Sequence, residues 1–148
     1  MKYGELSELY DLANQGHVEK VEMAFQYPHK SNANLTLYDG LMGCVGGLEK
    51  DGDFFVKLDA YDSDGSRIGT FKSKSVMHKA SDYSYIVRKI IEGLDKISEV
   101  VDSAKNIADN LKTYGCEVVM DSHPYDAGVL DQFAEELSKS RNGLCLAL

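Results

Sequence analysis

The strongest constraint on the fold is an apolar stripe that returns every seven residues from Tyr83 to Leu111. With Tyr83 as heptad position a, the a column is Tyr83, Ile90, Ile97, Ala104 and Leu111. The d column is Ile86, Gly93, Val100 and Ile107, and the e column Val87, Leu94, Val101 and Ala108. Almost every other position is polar, Ile91 excepted. A coiled-coil seam needs only a and d, whereas three apolar columns in seven make a face broad enough to lie on a sheet or against two other helices. The spacing therefore predicts one amphipathic helix, about 83–114, as the spine of a globular domain.

Ser81 and Asp82 are placed to accept hydrogen bonds from the first free N–H groups of that helix, and Gly115 to close it in a left-handed turn. At about 1.5 Å per residue such a helix is roughly 48 Å long. A compact domain of this size is only about 40 Å across, so one end is expected to overhang and to be covered by self-association, a homodimer, or by a partner. The alternative is two shorter helices broken near Ser103 to Asn106.

At 148 residues, 43% of them hydrophobic, the chain 1–148 reads as a single globular domain with one core. Twenty-four acidic against 16 basic side chains give a formal net charge of −8. Binding to nucleic-acid backbones relies on Lys and Arg displacing counterions, so direct nucleic-acid binding is not expected. The same charge favours a basic protein surface as partner and speeds the encounter by steering. Tyrosines with acidic neighbours suit such a surface. The residues expected to meet it are Tyr83, Tyr85, Glu92, Asp95, Glu99 and Asp102.

Cys44, Cys116 and Cys145 are odd in number and widely spaced. They read as buried, reduced thiols in a reducing compartment, with neither a disulfide framework nor a zinc site. Nothing approaches the run of ~18 apolar residues that a membrane span requires, and no secretory leader is evident. The expected location is the cytoplasm of its cell or host cell.

Leu6, Leu9, Tyr10 and Ala13 predict a short amphipathic helix stopped by Asn14 to Gly16. Val21, Met23, Phe25 and Tyr27 alternate with Glu22, Ala24 and Gln26, as in a strand with one buried face. From Asn34 to Leu48 the pattern leaves helix and strand open, because Tyr38, Leu41, Met42 and Val45 fit a helix that four glycines penalise. A hairpin follows, with strands at Phe54 to Tyr61 and Arg67 to Lys74. Its tip, Asp62 to Gly65, resembles a calcium loop only superficially. An EF-hand needs ligands where this chain has Ala60 and Phe71, and Asp-Gly is a strong hairpin signal in its own right.

The chain then offers a strand from Cys116 to Asp121 and a helix with Val129, Leu130, Phe133, Ala134 and Leu137 on one side. An apolar ending, Leu144 to Leu148, is expected to tuck into the sheet, completing a strand–helix–strand unit in which the strands run parallel. The fold class is α+β, a mainly antiparallel sheet packed by one long helix.

Chemistry has one candidate location. Asp121, Ser122, His123 and Asp126 lie just past the carboxyl end of a strand that feeds a helix, where sites in parallel units usually sit. Asp121 and Asp126 bracket His123 closely enough to meet at a metal or to orient the imidazole. The opposing reading is an ordinary loop in which Pro124 sets a turn and Asp126 caps the next helix. No metal site or cofactor motif is assigned. His17, His29 and His78 are expected at the surface. Tyr38, Tyr61, Tyr83, Tyr85, Tyr114 and Tyr125 lie near element ends, where a phenol can face a partner or finish a small core lacking tryptophan.

The sequence favours a small interaction protein that acts by occupying a basic partner, of the inhibitor, immunity or anti-defence type, over an enzyme. The alternative is a small metal- or phosphate-ligand-binding domain or enzyme using the Asp121–Asp126 loop.

Overall fold

The structure is a computed structural model that describes residues 2–27, 34–35, 48, 50–79 and 87–147. Helix α1 (Leu6–Asn14) lies between the short strand β1 (Gly4–Glu5) and β2 (Lys20–Gln26). β3 (Asn34–Leu35), β4 (Gly52–Tyr61), β5 (Arg67–Lys72) and β6 (Val76–His78) follow. The long helix α2 (Val87–Thr113) leads to β7 (Glu117–Met120), β8 (His123–Pro124) and the C-terminal helix α3 (Ala127–Leu146). Strand order is β1-β5-β4-β2-β7-β8, with β3 also on β2 and β6 on β4. Among the described residues five strand pairs are antiparallel. Two are parallel, β1 with β5 and β2 with β7. The class is α+β and the sheet mainly antiparallel, as the sequence implies.

The register explains the core. Val21, Met23 and Phe25 of β2 stand opposite Ala60, Leu58 and Val56 of β4, and Val21 and Met23 also stand beside Val118 and Met120 of β7. Because side chains alternate across a strand, all of these point to one face. There they meet Leu94, Ile97, Val100, Val101, Ala104, Ile107, Ala108 and Leu111 of α2 in one buried cluster. The other face carries Lys20, Glu22, Lys57, Asp59 and Tyr61, all half-buried.

Helix α2 runs without interruption through Ser103 to Asn106, which excludes the two-helix alternative. Its 27 residues span roughly 40 Å. The stripe is buried from Ile91 to Leu111, Ile91 included. Over this span the physical motive for a homodimer, an uncovered apolar end, is absent, and residues 83–86 lie outside the described residues, as do Ser81 and Asp82. Gly93 belongs to the buried face for a steric reason. A Cβ there would fall 2.4 Å from the side chain of Leu48, which is fully buried.

Two helices end alike. Gly115 (φ 88) donates to Lys112 O at 2.9 Å and Cys116 N to Leu111 O at 3.1 Å. Gly16 (φ 79) and His17 repeat the arrangement on Ala13 O and Leu12 O. Both are Schellman closures that use left-handed glycine.

Several expectations need correction. The apolar ending forms no strand. α3 continues to Leu146, with Leu144 half-buried, Cys145 exposed and Leu146 90% exposed. Leu144 falls seven residues after Leu137, on the same helical stripe, so continuing the helix covers it as well as a new strand would. Cys145 is therefore not a buried thiol, whereas Cys116 is buried and donates weakly to Val18 O at 3.5 Å. The parallel pairs are β1 with β5 and β2 with β7, and neither lies within the C-terminal unit. His78 is buried, its Nε2 2.8 Å from Leu48 O and its ring 5.9 Å from that of Phe54. Apart from Asn34, Leu35 and Leu48, the glycine-rich stretch 34–48 lies outside the described residues. So do Cys44, His29, Tyr38, Tyr83 and Tyr85. Among the described residues no helix is long and apolar enough to cross a membrane.

Candidate functional site

β7 does not run straight into a helix. It turns back on itself, pairing Met120 with His123 and Val119 with Pro124. The two residues of the turn, Asp121 (φ 52) and Ser122 (φ 64), are both left-handed. A two-residue hairpin with positive φ at both positions is the type I′ turn that Asn-Gly adopts easily. In L-residues with side chains it costs roughly 1–2 kcal/mol each, less for Asp, which bonds locally. That unusual pair of residues hides the hairpin from a reading based on turn signals, and β8 was missed for that reason.

The turn sets the geometry of the candidate site. Asp121, His123 and Asp126 line one open cavity of about 430 Å³, together with Met120, Val129 and Gln132. The sequence therefore located residues that the fold does bring together, at the carboxyl end of the parallel pair β2 and β7. It missed Val129 and Gln132, three residues apart on the first turns of α3. Their side-chain types carry no chemical signal, and Val129 is 39% exposed although apolar.

Asp126 is the N-cap of α3, its Oδ1 accepting from Gly128 N at 2.9 Å. A carboxylate thus already occupies the helix amino end, and the positive end of the peptide dipoles that would hold a phosphate is answered from within the chain. Among the described residues no three His, Cys, Asp or Glu side chains are grouped to hold a metal ion. The cavity brings together two apolar side chains, Met120 and Val129, with the carboxylates of Asp121 and Asp126, the imidazole of His123 and the amide of Gln132.

Tyr125 turns inward from the same loop and is 8% exposed, so it finishes the core and does not face a partner. Its ring lies 4.7 Å from Lys112 Nζ, and its hydroxyl has no hydrogen-bond partner among the described residues. Burial first, then the charges of Asp109, Asp131 and Asp126, raise its pKa above the usual phenol value of 10.0. Tyr114 is exposed, and Tyr61, half-buried, donates to Glu22 Oε2 at 3.2 Å.

The carboxylates expected to meet a partner are all exposed on α2. Glu92 pairs with Lys89 at 3.3 Å, and Asp95 accepts from Arg141 Nε of α3 at 2.6 Å. Lys105 of α2 pairs with Asp131 of α3. These two cross-helix pairs set α2 and α3 antiparallel. Asp102, one heptad after Asp95, raises the pKa of Lys105 together with Asp109, after the larger effect of the Asp131 bond. Asp102 thus lies near the Lys105–Asp131 pair, while Asp95 and Glu92 are held in ion pairs within the molecule.

No family model matches this chain, and no curated protein or solved structure matches it. The site must be read from its own geometry.

Proposed function

We propose that this protein is a binding module that occupies a cationic protein partner, in a reducing compartment, through the face built by the β7–β8 turn and the first half of α3. One observation carries the reading. From Glu117 to Ser138 the chain has six carboxylates, Glu117, Asp121, Asp126, Asp131, Glu135 and Glu136, and no lysine or arginine. The fold puts two of them, Asp121 and Asp126, in the lining of an open cavity beside the apolar Met120 and Val129. Asp102 of α2, near the Lys105–Asp131 pair, adds a carboxylate beside α3. An apolar centre with a charged rim is the usual anatomy of a protein-binding patch, and charge of one sign steers the encounter.

The test is capture of the partner from extract with the wild-type chain and with a double charge reversal, Asp121→Lys and Glu136→Lys. The captured partner is then assayed at low and high salt. A basic protein should be retained by the wild type alone, with affinity that falls as salt rises, chiefly through the on-rate. Retention that ignores both salt and the reversal overturns the reading.

A second reading is favoured by the convergence of Asp121, His123 and Asp126 on one cavity. In it the cavity takes a small ligand or substrate, and His123 is the general acid or base. Replacing His123 by Ala then abolishes ligand binding or turnover while leaving stability intact. Under the partner reading the same change, on the proposed face, weakens capture less than the charge reversal does.

A further inference from the structure

The β7–β8 turn differs from the other left-handed positions of the fold. Among the described residues every other positive φ falls on glycine, at Gly16, Gly52, Gly65 and Gly115, where the conformation meets no Cβ. Only Asp121 (φ 52) and Ser122 (φ 64) take it with a side chain. The two hairpins of the sheet are thus unlike. The β4–β5 tip reads Asp64-Gly65 and is relaxed, whereas the β7–β8 turn reads Asp121-Ser122 and is strained.

A second cost sits at Tyr125. Of residues 121–125 it alone is buried, so its ring is the one core side chain that ties the turn down. The ring lies 4.7 Å from Lys112 Nζ, and the Tyr125 amide donates to Val118 O at 2.9 Å. Its hydroxyl, however, is buried with no hydrogen-bond partner among the described residues. Swinging the turn outward gives that hydroxyl to water and returns Asp121 and Ser122 to ordinary φ. The buried ring and the bond to Val118 oppose the swing. Both ends of the segment are fixed, Met120 in the core beside Met23 and Asp126 as the N-cap of α3, so the motion stays local.

We propose that residues 121–125 form a two-state strap, closed in the structure, that opens about Met120 and Asp126 and carries Tyr125 out of the core. Opening also parts Asp121 and His123 from Asp126 and Gln132, so the cavity they line together is assembled only while the strap is closed. A ligand of that cavity, of whatever class, holds the strap shut by mass action. The strap opens and closes whether or not the cavity has a ligand, and it is tested on the protein alone.

The experiment is native-state hydrogen exchange of the full-length chain, read amide by amide in NMR. After correction for intrinsic rates, the Tyr125 amide should exchange about a hundred-fold faster than those of Val21 and Met23 in the central strand β2, and its rate should not respond to low denaturant that accelerates theirs. Ser122→Gly gives this turn what Gly65 gives the other hairpin, and Tyr125→Phe removes the orphan hydroxyl. Each should slow the Tyr125 or Phe amide by about five-fold. The strap is overturned if the Tyr125 amide exchanges at the β2 rate with the same denaturant response, or if either substitution leaves its rate unchanged.

Discussion

The two long helices contrast in what they hide. Ten of the 27 residues of α2 are buried, but only three of the 20 in α3, namely Leu130, Phe133 and Leu137. Helix α2 lies between the sheet and α3, so its apolar columns meet partners on two sides. Helix α3 leans on α2 through one stripe and reaches the sheet where Phe133 stacks 6.3 Å from Phe25 of β2, and leaves the rest of its circumference in water. Burial fixes the first as a spine, whereas the second keeps Asp131, Glu135 and Glu136 exposed to water.

Substitutions can break or sharpen that contrast. The largest effect is expected in the spine. Leu111→Ala, at a fully buried position, should lower the unfolding free energy by about 2–5 kcal/mol in denaturant titration, and Val129→Ala in α3, at an exposed position, should cost less. Equal losses would mean that the two helices are held alike. Gly93→Ala comes next. The new methyl must displace Leu48, at about 1–3 kcal/mol, and a double-mutant cycle with Leu48→Ala should recover part of that loss if the clash is its cause.

Tyr125→Phe should go the other way. Its hydroxyl is buried without a partner among the described residues, so removing it should raise stability by about 1 kcal/mol. The pH dependence follows the same logic. Burial, the leading cause, raises Tyr125 above 10.0 and Cys116 above 9.0 in the fold. The unfolded chain therefore loses these protons first as pH rises. Stability attached to the neutral groups is complete below about pH 9 and declines as pH rises through the raised values. The decline above pH 10 should be shallower in Tyr125→Phe. A stability curve identical to wild type at both neutral and high pH would show that the hydroxyl finds a partner.

Smaller effects belong to the end of α3. Stopping the chain after Gly143 removes, among the described residues, the half-buried Leu144 and the exposed Cys145, Leu146 and Ala147, so the loss should stay within about 1 kcal/mol. A loss as large as that of Leu111→Ala would restore the expectation that the ending is tucked into the core. Smallest of all is the exposed Asp95–Arg141 pair, where Asp95→Asn should leave thermal unfolding unchanged, because water screens it and ordering two side chains offsets the attraction.

Legibility in the sequence followed the same division. The α2 stripe, the α1 face, the alternation in β2 and the Asp62–Gly65 turn each carry their signal within a dozen residues. Their periods were readable because one face of each is buried. The end of α3 misled because Leu144, Cys145 and Leu146 are apolar in a row, which looks like a strand until Leu144 is counted as the next step after Leu137. His78 misled because its partner, the Leu48 carbonyl, is 30 residues away. At the candidate site, Asp121, His123 and Asp126 could be gathered from spacing, but the hairpin that aims them could not. Asp-Ser is a poor left-handed turn by composition and is held there by the pairing of β7 with β8.

The order of residues alone determined an α+β domain with one helical spine, a hairpin and an acidic stretch free of cations after β7. Those follow from short-range periodicity, turn chemistry and charge, which need no knowledge of neighbours. Only the tertiary structure decided which strands run parallel and which face of the sheet is covered. These depend on contacts between segments tens of residues apart, whose free energy no local pattern records.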